Sequence, residues 1–173
     1  MLKIYNIKDK LEYLEEVCIL TLKEWGTYDS NSFNQKIQNK KNKILSKLED
    51  IDYCKLILLE DDELVGFISI FKNDGEDRCD LSQWYATMNV KKEKRGKGYA
   101  KILNNAILKE AKKRGFKKIY LKTDLVNYYE KFGFIYMEKL SNGEKLYYKD
   151  LIWKKFNLLV VKYHKYDIIF MAF

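Results

Sequence analysis

The chain has 173 residues, 47% of them hydrophobic and 15% aromatic, and a formal net charge of +8. That length suits one domain with its own core, and that composition excludes a disordered or low-complexity chain. Cys18, Cys54 and Cys79 are far apart and never in C-x-x-C spacing, which argues against a disulfide framework or a zinc site and for a reducing cytoplasm.

Met1–Asn6 reads as the start of a strand, covering Leu2–Tyr5, because it lacks the apolar stretch of a signal peptide. No segment approaches roughly 18 consecutive apolar residues, so no membrane span is expected. Leu11, Leu14, Val17, Cys18, Leu22 and Trp25 recur at helical spacing and stop at Gly26. A polar turn, Tyr28–Ser32, leads to a very basic second helix running to about Leu48. Lys55–Glu60 and Leu64–Phe71 read as two strands joined by Asp61-Asp62-Glu63, and Asn73–Asp77 reads as a further turn. Leu81–Val90 is the next strand, followed by a glycine-containing basic loop. Tyr99, Ile102, Leu103, Ala106, Ile107 and Ala111 then mark a helix that closes at Arg114-Gly115. Lys118–Lys122 is a strand, Leu125–Phe132 a short helix, and Phe134–Leu140 with Lys145–Asp150 a closing strand pair. The unit from Leu81 to Lys122 predicts a right-handed parallel crossover inside a sheet that is otherwise mostly antiparallel. The fold class is therefore mixed α/β.

The loop Lys91–Ala100 sits between a strand and a helix. Free backbone N–H groups at a helix start, the positive end of its dipole and two glycines coincide there with Lys92, Lys94, Arg95 and Lys97. Such a constellation suits a phosphate or pyrophosphate; a solvated basic turn is the alternative. A P-loop is excluded, because Lys91 stands where its first glycine belongs and Gly98 follows Gly96-Lys97. The dinucleotide fingerprint G-x-G-x-x-G fits at Gly96 and Gly98 but meets Lys101 at its third position.

A third pattern matches. The string V-K-K-E-K-R-G-K-G-Y-A, Val90–Ala100, resembles the acetyl-CoA signature R/Q-x-x-G-x-G/A of the GNAT superfamily of N-acetyltransferases, with Arg95, Gly98 and Ala100 on its fixed positions. Asn127–Phe134 is similar to the F/Y-Y-E-K-x-G-F segment of the same family. The departures are Lys92, where proline is frequent, and Lys122 and Thr123, where an asparagine is usual. The resemblance runs from about Leu2 to Asp150 and is concentrated between Met88 and Phe134.

This resemblance implies a GNAT fold with about 6–7 strands over residues 1–150, and a C-terminal extension over 151–173. It implies transfer of an acetyl group from acetyl-CoA to a primary amine of a small molecule or peptide, without a metal. It places the CoA pyrophosphate on the backbone amides of Arg95, Gly96, Lys97, Gly98, Tyr99 and Ala100. Met88, Asn89, Val90 and Lys131 complete the donor contacts, with an N–H near Asn89 or Val90 polarising the thioester carbonyl. Tyr129 matches the tyrosine near the sulfur, and its phenol suits a general acid; packing is the alternative role. Asp80 is the first candidate base, with Glu60 and Asp61 behind it. Trp25, Tyr28 and Trp84 are candidates for the acceptor site. Trp84 and Tyr85 are adjacent, so only one of them can face it.

Two apolar runs in the tail, 158–161 and 168–171, would suit added strands or pairing with a second subunit. His164 reads as a surface or packing residue. The charge and the Lys36–Lys47 helix admit a rival reading as a nucleic-acid-binding module, although no such signature is present. A GNAT fold that senses acyl-CoA without turnover is a third.

Overall fold

A computed structural model describes residues 1–26, 32–75 and 77–151, together with the backbone of 162–163 and 166–167. Strands β1 (Leu2–Asn6), β2 (Cys54–Glu60), β3 (Glu63–Phe71), β4 (Trp84–Val90), β5 (Lys118–Thr123), β6 (Ile135–Lys139) and β7 (Lys145–Asp150) form one sheet in the order β1-β2-β3-β4-β5-β7-β6. All neighbours are antiparallel except β4 and β5. Three helices flank it: α1 (Leu14–Trp25), α2 (Phe33–Leu45) and α3 (Tyr99–Lys113). Two short strands, β8 (Lys162–Tyr163) and β9 (Tyr166–Asp167), pair separately. The apolar runs 158–161 and 168–171, His164, and Tyr28 lie outside the described residues.

The alternation of β2 explains the layers. Cys54, Leu56 and Leu58 turn to the face covered by α3, while Ile57 and Leu59 turn to the face covered by α1 and α2. On α3, Leu103, Ile107 and Ala111 are fully buried at i, i+4 and i+8, the leucine and isoleucine contributing roughly 1.5–3 kcal/mol each. The helix closes on Gly115 (φ +80) with Gly115 N–H donating to Lys112 C=O and Phe116 N–H to Ala111 C=O. That pair of bonds is a Schellman cap.

One expected helix is absent. Leu125–Phe132 forms bends and a 3-10 turn at Glu130–Phe132 instead. Asn127 adopts φ +56, which interrupts a right-handed helix, and Val126, β-branched and 62% exposed, brings no buried contact that would favour one.

The sheet opens where β4 meets β5. Their ladder holds only Trp84 opposite Tyr120, beside Tyr120 N–H donating to Gln83 C=O. Farther along, Thr87 and Met88 together oppose Ile68 of β3, a β-bulge with Thr87 at φ +47. The bulge adds twist to β4, so its Val90 end diverges from β5 and leaves a gap between two parallel strands.

Candidate active site

The basic loop lies at the Val90 end of this gap. A 3-10 turn at Lys92–Lys94 leads to Gly96 and Gly98, both at φ +81, and Gly98 caps α3. No atom beyond the adjoining residues lies within 4 Å of a Cβ built on either glycine, so their requirement is conformational rather than steric. Arg95 N–H donates to Lys92 C=O, but the N–H groups of the next five residues, Gly96 to Ala100, have no acceptor among the described residues. The loop is held from outside. Arg95 Nε donates to Val90 C=O at 2.9 Å, Lys91 pairs with Glu16 of α1 at 2.6 Å, and Lys94 pairs with Glu60 at 2.8 Å.

A cleft of about 660 Å³ runs from this loop to Tyr129, lined by Met88, Asn89, Val90, Arg95, Gly96, Gly98, Tyr99, Ala100 and Lys131. Lys97 belongs to the loop without lining the cleft. Leu125, Tyr128 and Phe132 close its far wall, and the ammonium of Lys131 lies 4.5 Å over the Tyr128 ring. A second hollow of about 690 Å³ adjoins it, and Glu24, Met88, Leu125 and Tyr129 line both. Its remaining walls include Trp25, Asp74, Tyr85, Thr87, Asp124 and Glu144.

Tyr129 therefore stands at the junction of the two. Its ring meets Tyr85 and Phe134 edge-on at 5.8 Å each. Burial, and then Tyr128 beside it, push its phenol up to about 12, so it keeps its proton throughout the neutral range.

The remaining candidates divide. Trp25 lines the second hollow. Trp84 does not: it is fully buried with Leu140 and Leu146, and its indole N–H donates to Leu81 C=O. Its neighbour Tyr85 is the one that faces the hollow, as strand alternation requires of one of the two. Asp80 precedes β4, at the end away from the loop; the seven residues of β4 span roughly 20 Å. The Arg78 guanidinium grips it at 2.7 Å and holds its carboxyl below the usual range, which is unfavourable for a base. Glu60 is occupied by Lys94 and by the Tyr99 hydroxyl, and its carboxyl is lowered by those two bonds. Asp61 lies in the β2–β3 turn.

Asp74 is the carboxylate that sequence reasoning passed over as a turn residue. Burial raises its pKa above the ordinary value, with Lys122 opposing. Its sequence signal is only that an acid precedes a glycine. What distinguishes it is that it lines two hollows together with Thr87 of β4, which the sequence does not display.

The profile of the Acetyltransferase (GNAT) family matches residues 13–134. The chain belongs to that family. The sequence matches no curated protein. Among solved structures, PaiA N-acetyltransferase from Thermoplasma acidophilum, in complex with coenzyme A, shares 24% identity at a TM-score of 0.62, covering 87% of this chain and 99% of its own. An aminoglycoside 6′-N-acetyltransferase complexed with coenzyme A shares 18% at 0.67, covering 89% and 98%. An N-acetyltransferase from Staphylococcus aureus Mu50 shares 19% at 0.67, covering 88% and 99%. These likenesses establish the GNAT fold: the seven-stranded, mostly antiparallel sheet with one parallel pair.

Proposed function

We propose that this protein is an N-acetyltransferase that moves the acetyl group of acetyl-CoA onto a primary amine by direct attack within a ternary complex. The observation that carries this is the run of five unpaired N–H groups, Gly96 to Ala100, at the start of α3 and at the mouth of a cleft leading to Tyr129. Five donors and a helix start suit a pyrophosphate, and the one carboxylate lining the cleft, Glu24, is paired with Arg95 at 3.4 Å. The two left-handed glycines, Gly96 and Gly98, carry no side chain and so keep the backbone accessible. Coenzyme A in two structures of the same fold supports the choice of donor. Met88, Asn89 and Val90 on the divergent end of β4 flank the pantetheine arm in this reading, with Lys131 opposite.

The chemistry follows from the junction. The amine enters the second hollow, whose Glu24, Asp74, Asp124 and Glu144 suit a cation. It must lose a proton before attack, and Asp74, with its raised carboxyl, accepts it directly or through water. The nitrogen then attacks the thioester carbon while a backbone N–H beside the bulge stabilises the carbonyl oxygen, and the nitrogen's second proton passes to solvent as the tetrahedral intermediate collapses. As the C–S bond breaks, Tyr129 donates its O–H to the departing sulfur. A phenol near 12 facing a thiol whose ordinary pKa is about 8.5 acts chiefly by hydrogen bonding, and full protonation of the thiolate is completed by solvent. Three free thiols, two of them buried, accord with a reducing cytoplasm as the setting. Calorimetry with acetyl-CoA against NAD, then an amine panel read by released thiol, tests the proposal. Absence of heat with acetyl-CoA defeats it.

A further inference from the structure

A third hollow, about 250 Å³, lies between α2 and the sheet. Lys40, Lys43 and Lys47 of α2 and its C-terminal turn line it, together with Lys55 of β2. None of the four forms an ion pair among the described residues. Lys55 is 3% exposed, and its ammonium donates at 2.6 Å to Ser69 Oγ, a neutral acceptor. The Tyr53 hydroxyl in the same wall is buried without a hydrogen-bond partner. A buried donor left unmade is costly, as is a buried ammonium facing no counter-charge. Together they describe a site lacking an anion.

This hollow adjoins the proposed acceptor site: Asp74 and Thr87 line both. Thr87 Oγ1 also donates to Ser69 Oγ at 3.0 Å, so Lys55 and the bulge residue share one acceptor. The two hollows are opposite in character: carboxylates crowd one, and four lysines surround one carboxylate in the other.

We propose that the acetyl acceptor is an amine that also carries an anionic group, a carboxylate or a phosphate, seated among Lys40, Lys43, Lys47 and Lys55 while its amine faces Asp74 and Tyr129. This rests on the N-acetyltransferase reading above and narrows its substrate class. A purely polycationic acceptor fits poorly, since extending it past Thr87 would bring it against four ammonium groups. Burial lowers the Lys40 ammonium, with Lys43 adding to the effect, and the attraction of an arriving anion opposes that shift.

Matched acceptors test the proposal with the full chain and saturating acetyl-CoA: tyrosine against tyramine, ornithine against putrescine, and O-phosphoethanolamine against ethanolamine. The amino acids and the phosphate ester distinguish the two anion sources. At least one anionic class should exceed its neutral counterparts about tenfold or more in kcat/KM, the scale of one charged hydrogen bond. Lys43→Glu should erase that preference through KM for the anionic member. Lys47→Glu, at an exposed position, serves if the first variant folds poorly. In parallel, inorganic phosphate is titrated into protein whose loop is already filled with CoA. It should still bind, and bind about tenfold more weakly to Lys43→Glu. Equal or better turnover of the neutral amines, or no phosphate binding in the CoA complex, overturns the inference while leaving an acetyltransferase. Failure of CoA itself to bind defeats the broader reading instead.

Discussion

Lys55→Met replaces a buried ammonium with an apolar chain of similar length, and its effect on stability is calculable. Burial lowers Lys55 from 10.5 to about 7, with Lys40 adding to the shift. The folded state therefore disfavours the charged form. Below pH 10.5 the unfolded chain takes up a proton that the folded chain refuses until about pH 7, so stability falls as pH drops through that window and levels off beneath it. One proton is worth about 1.4 kcal/mol per pH unit, and integrating the two titrations from pH 10 to pH 7 gives roughly 3–4 kcal/mol. Lys55→Met removes this dependence and loses the bond to Ser69, worth about 1 kcal/mol. Urea unfolding of both proteins at pH 7, 8, 9 and 10 reads the difference, since every other titrating group is shared. The variant should gain on the wild type steadily as pH falls, and be the more stable of the two at pH 7. Parallel stability curves would refute the claim that Lys55 is held without a counter-charge.

Three further substitutions probe the cleft, and a fourth serves as their control. Gly66→Ala sets a Cβ 2.4 Å from the Asn89 carbonyl oxygen; displacement of the β4 end should cost roughly 1–3 kcal/mol, seen as a lower Tm, with weaker acetyl-CoA binding in calorimetry. Gly98→Ala meets no atom but imposes the left-handed penalty of about 1–2 kcal/mol; a loop that relaxes to escape it should lose acetyl-CoA affinity on the order of tenfold. Gly115→Ala, at φ +80 on the far end of the same helix, carries the same strain and should leave affinity intact. Tyr129→Phe keeps the ring contacts and removes the O–H, so kcat should fall on the order of a hundredfold with KM for acetyl-CoA unchanged; an unaltered kcat removes the residue from the chemistry.

The elements that build the core were readable because their periodicity is local. Leu103, Ile107 and Ala111 announce α3, and Arg114-Gly115 announces its cap. The position of the glycine loop between β4 and α3 was readable for the same reason, since glycines, cations and a helix start are all adjacent in sequence. Leu125–Phe132 misled because it carries apolar residues at helical intervals, while the decisive Asn127 dihedral is set by its surroundings. Trp84 and Tyr85 were distinguishable only as a pair with opposite faces, and the sheet decides which face meets the hollow. Lys55 did leave a trace: at strand spacing it shares a face with Ile57 and Leu59, and a cation on an apolar face needs an explanation. Asp74 left only its place before a glycine, because its proposed role depends on the bulge at Thr87, 13 positions away in the numbering.

The distribution of charge pairs changes what the excess of +8 means. In the loop between β4 and α3, Lys91, Lys94 and Arg95 are each tied to a carboxylate, Glu16, Glu60 and Glu24 respectively. Those cations shape the loop more than they attract a ligand, and the anion-binding capacity there resides in the backbone N–H groups. The four lysines of the smaller hollow have no such carboxylate, and one is buried in β2. A surface evolved to hold a nucleic-acid backbone would keep its cations exposed along a face. Here one uncompensated lysine, Lys55, is buried in β2, and the other three border a hollow beside a strained threonine at φ +47. That strain, of order 1–3 kcal/mol for a non-glycine residue, is maintained where β4 must leave β5 and where the two hollows meet. The same bulge thus opens the cleft beside β5 and borders both the acidic and the basic hollow, so in the proposed reading recognition of an amine and recognition of an anion depend on one irregularity in one strand.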